Sequence, residues 1–332
     1  MTYRYLGNTG LRVSVLSFGT MLTNYYDEDN EKWLACAKAA YDLGVNYFDS
    51  AEIYGMGDGD RLLGRAIKEF GWERKSLVIS VKILTAGGGT NDNCMSRKHI
   101  IEGTKASLER MGIDYCDLVF SHRPDYETPL EETCRAFSWL IDHGYAKYWC
   151  TSTWPAQLVT EAIGICEELD LHKPAADQCQ YNCLHRGEVE HDYARVFDRF
   201  GYGSTVWSPL AMGLLSGKYN DGVIPEDSRF GRSEAFKGMA WGSQMGDHII
   251  EERKRMFSEL KEAADELGAT QAELALAWVL VNKDVSTCIF GATKVSQVES
   301  KSFYSSVFLC ILFLSIFKAK FGFSAFIVTI KF

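Results

Sequence analysis

The sequence predicts an α/β protein: a closed (β/α)8 barrel, the TIM-barrel architecture, preceded by a β-hairpin. Three observations carry that prediction. Eight short apolar runs recur along the chain, and an amphipathic helical stretch follows almost every one. The runs are nearly continuous in apolar residues, as expected of parallel strands covered on both faces. Alternating strands and helices give parallel crossovers; an open doubly wound sheet alternates the same way, but a count of eight favours closure.

Taken in order, Tyr3–Leu6 and Leu11–Val13, joined by Gly7-Asn8-Thr9-Gly10, form the hairpin. Strand one is Val15–Thr20; its helix runs from about Glu31 to Leu43, with Trp33, Ala37, Ala40 and Tyr41 on one face. Strand two is Val45–Phe48 with helix Arg61–Phe70, and strand three is Leu77–Leu84 with a helix from about Arg97 to Met111. Strand four, Cys116–Phe120, precedes a helix over Leu130–His143, and strand five, Ala146–Cys150, precedes Pro155–Leu169. Strand six is Ala176–Gln180 with helix Val189–Phe200; strands seven and eight are Thr205–Trp207 and Ser286–Phe290. A Gly-rich connection, Ala211–Asp247, and two helices, about Ile249–Leu267 and Gln271–Val281, lie between the last two strands.

The composition is that of an ordinary globular protein, with 46% hydrophobic and 24% charged residues in 332. A net charge of −9 argues against nucleic acid or an anionic membrane as partner of the whole chain. The start, Met1-Thr2-Tyr3-Arg4-Tyr5, carries no apolar signal region, and the ten cysteines match no zinc or redox spacing. Reduced thiols, a cytoplasmic location and no metal site are the expectations.

In such a barrel, chemistry belongs to the ends of the strands. Strand two ends in Asp49-Ser50, with Tyr54 five residues after the Asp. The pair reads either as a capping Asp with an interface aromatic or as an acid–base couple. Strand three carries a lone Lys82, either a lysine reaching out from the rim or a partner for Asp49 near Tyr54. In the second case an ammonium beside the phenol is expected to lower its pKa, and the tyrosine can then protonate a carbonyl oxygen. His122, after strand four, is either structural or orients that carbonyl.

Phe48-Asp49-Ser50-Ala51-x-x-Tyr54-Gly55, Lys82 and His122-Arg123-Pro124-Asp125 together resemble the tetrad motifs of the aldo-keto reductase superfamily. The chain is more specifically similar to the voltage-gated potassium channel β-subunit branch with its fungal and plant relatives. Tyr5-Leu6-Gly7-x-x-Gly10-Leu11, Thr128-Pro129-Leu130-Glu131-Glu132-Thr133 and Trp207-Ser208-Pro209-Leu210-Ala211 through Lys218-Tyr219 support this over about residues 3–299.

The resemblance implies an NADPH-dependent oxidoreductase that reduces aldehydes or ketones, with Asp49, Tyr54, Lys82 and His122 as catalytic residues. The run Gly55-x-Gly57-x-Gly59 lacks the spacing of a dinucleotide fingerprint and is not read as one. By resemblance, Thr20 binds cofactor, Ser152 and Gln178 hold the nicotinamide carboxamide, and Trp207 stacks on its ring. Ser208, Leu210 and Lys218 match the pyrophosphate loop, with Arg229 in the connection beyond. Gly291, Thr293 and Gln297 match the turn for the adenosine phosphate, beside the cation of Lys294. The branch also implies a tetramer and, as the alternative function, a redox-sensing regulatory β-subunit of a potassium channel that binds NADPH with slow or no turnover. Trp241 and Phe236 suggest an apolar substrate lining.

Three departures stand out. Channel β-subunits carry Asn where this chain has His122, which favours turnover over sensing. Cys150 and Thr153 stand where the branch commonly has Gly and Arg. From Ser300 the family's charged final helix gives way to an apolar tail, so the expected domains are a barrel over 1–299 and a hydrophobic tail over 300–332. A membrane anchor, a replacement helix and translated intron sequence are the three accounts of that tail; the intron account leads. Loss of the family's eighth helix is expected to expose apolar barrel surface and weaken cofactor binding.

Overall fold

The computed structural model describes residues 1–22, 27–226, 228–232 and 247–299, so the apolar tail, Phe236 and Trp241 lie outside the described residues. The chain divides into two compact units: Met1–Tyr181 with His185–Trp207 and Asp284–Glu299, and Asn182–Leu184 with Ser208–Lys283.

The first unit contains the hairpin and the whole barrel. β1 (Tyr3–Tyr5) pairs antiparallel with β2 (Arg12–Ser14). Eight parallel strands then close on themselves: β3 (Leu16–Gly19), β4 (Tyr47–Asp49), β5 (Val78–Ile83), β6 (Cys116–Ser121), β7 (Ala146–Thr151), β8 (Ala176–Asp177), β9 (Gly203–Val206) and β10 (Thr287–Phe290). The seam lies between β10 and β3, where Phe290 is level with Phe18 and Thr287 Oγ1 donates to Ser17 Oγ at 3.0 Å. Arg4 fastens the hairpin to the same seam, its Nη1 donating to the Val285 carbonyl at 2.6 Å.

Helices α1 (Asp27–Asp42), α2 (Asp58–Glu69), α3 (Arg97–Met111), α4 (Leu130–Asp142), α5 (Ala156–Glu168) and α6 (Ala194–Phe200) follow strands in the predicted order. Trp33 of α1 ties its indole N–H to the carbonyl of Gly19 at 2.8 Å, anchoring the helix to the end of β3.

The hairpin packs into the barrel: Leu6 and Val13 are buried with Tyr47, Val78, Leu118, Phe120, Cys150 and Ala176. Gly7 makes this docking possible. Its φ is +50°, and a Cβ there would sit 2.4 Å from the Gly203 nitrogen and 2.6 Å from the Gly201 carbonyl oxygen. Gly7→Ala is therefore expected to lower stability by about 1–3 kcal/mol, from backbone strain and overpacking together, read as a lower urea midpoint at unchanged slope.

Two segments depart from the sequence expectation. Strand six ends at Asp177 instead of Gln180, yet Gln180 still pairs in parallel with Trp207, whose N–H bonds to the Cys179 carbonyl and whose carbonyl accepts from the Tyr181 N–H, so the predicted pairing is interrupted and then resumes. The helix expected over Val189–Phe200 begins as a wide π turn, Glu188–Asp192, before α6. Helix α2 starts three residues earlier than the pattern suggested; Asp58 and Asp60 in its first turn suit the positive end of the helix dipole.

The second unit holds α7 (Arg229–Arg232), α8 (Asp247–Glu266) and α9 (Gln271–Val281). Leu214, Leu215, Tyr219, Phe230, Phe257 and Ala275 form its core, and Thr270 with Glu273 makes a capping box at the start of α9. In the first unit, α10 (Val295–Glu299) lies beside α1 at the last described residues. No helix among the described residues is long and apolar enough to cross a membrane.

Candidate active site

Asp49 is the last residue of β4, and the register of the β4–β5 pair sets it level with Ser80. Lys82, one pleat further along β5, is on the same face and wholly buried. Its ammonium donates to Asp49 Oδ2 at 2.6 Å and to the Ser50 carbonyl at 2.8 Å. Full burial excludes the alternative of a lysine reaching from the rim to water. The other carboxylate oxygen, Oδ1, accepts from Ser80 Oγ at 2.7 Å and from Gln178 Nε2 at 3.0 Å. Burial alone would discharge Lys82, but Asp49 and Tyr54 outweigh it and hold the lysine pKa above its ordinary value.

Beyond Asp49 the chain keeps following β5: Ser50 N–H bonds to the Ser80 carbonyl and Glu52 N–H to the Lys82 carbonyl. Three consecutive left-handed residues, Gly55, Met56 and Gly57, then turn it into α2. This path leaves Tyr54 with its ring centroid 4.8 Å from the Lys82 ammonium. The His122 ring meets it edge-on, centroids 6.0 Å apart. Asp49, Tyr54, Lys82 and His122 thus come together at the ends of three adjacent strands.

The phenol differs from the sequence expectation. Burial, aided by the charge of Asp49, raises the Tyr54 pKa, and the lowering by Lys82 does not compensate. The group therefore keeps its proton through neutral pH. His122 is pushed the other way, down to about 2, by burial and then by the charges of Lys82 and Arg123, so it stays neutral.

The sign of the resulting pH dependence follows. Between its ordinary 6.5 and about 2, the unfolded chain binds a proton at His122 that the folded chain does not, so stability is lost as pH falls through that window. Asp177, raised to about 7 by burial, acts oppositely, because the folded state there binds the extra proton. Comparing wild type with His122→Asn isolates the first effect: below pH 6.5 the wild type should lose stability relative to the variant in urea titrations.

Several supporting residues escaped the sequence reading. Glu52, 2% exposed, accepts from the Leu84 N–H at 2.5 Å and meets His99 Nε2 at 3.0 Å, bracing the loop that carries Tyr54. Gly103 leaves the room, since a Cβ there would sit 2.8 Å from Glu52 Oε2. Asp60, salt-bridged to Arg110 at 2.8 Å, accepts from Ser50 Oγ at 2.6 Å, and Thr20 Oγ1 donates to the same Ser50 hydroxyl at 3.0 Å. Asp177 accepts from Thr151 Oγ1 at 2.6 Å and from the Thr153 N–H at 3.1 Å. It holds the turn at Thr153, whose φ of +54° is unusual for a β-branched residue. An acid directly before Gln178 at a strand end was the available signal.

The residues proposed to bind cofactor fall in three places. In the barrel, Ser152 Oγ donates to the Gln178 carbonyl at 3.0 Å, and partly exposed Trp207 donates from Nε1 to Thr153 Oγ1 at 3.4 Å. At the strand-eight turn, Gln297 Oε1 accepts the N–H groups of Thr293 at 2.9 Å and Lys294 at 3.3 Å, while Gly291 faces open space. In the second unit, Ser208, Ala211 and Met212 all have positive φ, followed by Gly213 at +102°. A Cβ on Gly213 would meet Lys218 Nζ at 3.4 Å, so this strained loop and the lysine are neighbours. Leu210 lies within it, and Arg229 opens α7. Cramped left-handed backbone beside a lysine suits an anionic group, and the hydroxyl, carboxamide and indole of the barrel set suit a nicotinamide.

A family model described as the aldo/keto reductase family matches residues 15–309. The chain belongs to the aldo/keto reductase family. Among curated proteins, this aldo/keto reductase is 48% identical over 299 residues to a probable voltage-gated potassium channel subunit beta of Arabidopsis thaliana, covering 90% of this chain and 89% of the relative. It is 45% identical over 298 residues to a probable subunit of the same name in Oryza sativa subsp. japonica, with 90% and 89% covered. A putative voltage-gated potassium channel subunit beta of Schizosaccharomyces pombe is 46% identical over 303 residues, with 89% and 86% covered. Members of this family are generally NAD(P)H-dependent carbonyl reductases, and the channel-subunit relatives place this aldo/keto reductase in their neighbourhood.

Proposed function

We propose that the protein is an NADPH-dependent reductase of aldehydes or ketones in which Tyr54 is the general acid. The observation that carries this reading is the buried Lys82, bonded to Asp49 at 2.6 Å and facing the Tyr54 ring at 4.8 Å. When bound, the reduced nicotinamide supplies a hydride to the carbonyl carbon. Tyr54 holds its proton through neutral pH and gives it to the carbonyl oxygen, and Lys82, kept charged by Asp49, stabilises the phenolate left behind. Neutral His122 orients the carbonyl by a hydrogen bond. In the barrel unit Ser152, Gln178 and Trp207 would hold the nicotinamide, and Gly291, Thr293 and Gln297, with Lys294, would hold the adenosine phosphate; Ser208, Leu210 and Lys218 are the pyrophosphate residues the resemblance assigns, and Thr20 and Arg229 are its further cofactor residues. The barrel over 1–299 is the proposed catalytic domain.

Steady-state NADPH oxidation with a panel of aldehydes tests the reading; absence of turnover with every aldehyde, by protein that still binds NADPH, overturns it. That outcome would favour the second reading, a regulatory subunit of a cation channel, for which the names of the relatives at 45–48% identity speak. A tetramer belongs to either reading.

A further inference from the structure

Arg123 takes no part in the chemistry proposed above, yet it sits at its edge. It follows His122 directly, and its charge is felt at both the His122 imidazole and the Tyr54 phenol. Its guanidinium lies 5.9 Å from the centre of the Trp207 ring. Nη1 is used twice, donating to the His122 carbonyl at 2.6 Å and to Ser152 Oγ at 3.1 Å.

Three of the four other partly buried arginines among the described residues hold a carboxylate, Arg74 with Asp117 at 2.7 Å, Arg110 with Asp60 at 2.8 Å and Arg186 with Glu190 at 2.6 Å, while Arg4 donates to the Val285 carbonyl. Among the described residues, Arg123 has no carboxylate partner, and its Nε and Nη2 have no acceptor. In a chain of net charge −9 there is no shortage of carboxylates to pair it. Half-buried and without a counter-charge, the guanidinium is a local positive charge to which an anion is drawn. The unused Nε–Nη2 edge is the planar fork that takes a carboxylate through two parallel hydrogen bonds.

We propose that Arg123 is a specificity residue of the substrate pocket, binding a carboxylate carried by the substrate, so that aldehydes or ketones bearing a carboxylate near the carbonyl are the preferred class. The proposal rests on the reductase reading. Nη1 keeps the guanidinium oriented, while the Nε–Nη2 edge remains for the ligand.

The test compares matched substrates within one enzyme, para-carboxybenzaldehyde against its methyl ester and succinic semialdehyde against butanal. The readout is the ratio of kcat/KM, acid over neutral, for wild type, Arg123→Gln and Arg123→Lys. Wild type should favour the acid in at least one pair by about tenfold or more, the worth of a charge-assisted hydrogen bond. Arg123→Gln should bring that ratio to near one, and Arg123→Lys should keep part of it. Because each ratio is internal to one protein, a general loss of folding or of cofactor binding cancels. A wild-type ratio near one in both pairs, or a preference that Arg123→Gln leaves intact, overturns the proposal. So does a weakened NADPH affinity in Arg123→Gln with the substrate ratio unchanged, which would mark Arg123 as a support for Ser152 alone. Should wild type turn over none of these aldehydes, the reductase reading fails by itself. Tryptophan-fluorescence titration with para-carboxybenzaldehyde in the presence of NADPH then decides the anion site: loss of binding in Arg123→Gln supports it, and equal affinity overturns it.

Discussion

Tyr54→Phe should lower kcat for NADPH-dependent aldehyde reduction by roughly 10²–10⁴-fold, the usual contribution of a positioned general acid. Phenylalanine keeps the ring that meets His122 edge-on and that Lys82 faces, so the packing around the site survives and NADPH affinity should not change. The only group removed is the hydroxyl, and burial holds that hydroxyl protonated in the wild type. The signature is a fall in kcat and kcat/KM together, with the unfolding midpoint preserved, which is how the loss of a transition-state interaction reads. A variant as fast as wild type would remove Tyr54 from the chemistry and turn attention to the channel-subunit reading.

The second large effect belongs to Lys82. Lys82→Met leaves Asp49, 2% exposed, with Ser80 and Gln178 as hydrogen-bond partners and no cation. Breaking a buried ion pair from one side costs about 3–5 kcal/mol, because the remaining charge is uncompensated. Urea unfolding should show a loss of that size, and activity should disappear with it. The double variant Lys82→Met with Asp49→Asn removes both charges, and it should recover most of the stability and none of the activity. Recovery is the informative arm, since it separates the structural role of the pair from the chemical one. Equal destabilisation in the single and double variants would mean that packing, and not charge, is what Lys82 supplies.

The order of strands and helices was legible because the barrel imposes a plain pattern: apolar runs inside, amphipathic helices outside. Asp49 and Lys82 were legible for the opposite reason, being charged residues at positions where such runs should stay apolar. What the pattern does not carry is partner identity across the barrel. Nothing in the neighbourhood of Glu52 announces His99, which comes to it from α3, and nothing near Asp177 announces Thr151. The interruption after Asp177 was hidden because Gln178-Cys179-Gln180 reads as well for a strand as the residues before it, and Gln180 does pair again, with Trp207. The direction of the Tyr54 pKa was misjudged because a nearby lysine can be guessed from strand ends, whereas the depth of burial cannot.

The seam between β10 and β3 has a consequence for how the chain is made. Phe18 must wait for Phe290, and Ser17 for Thr287, before the ring of strands can shut. On a ribosome everything up to residue 290 has to be made before that happens, so until then the nascent protein carries two raw sheet edges. A product terminated anywhere before residue 287 keeps both edges and should accumulate as aggregate or be degraded, whatever the condition of its chemical groups.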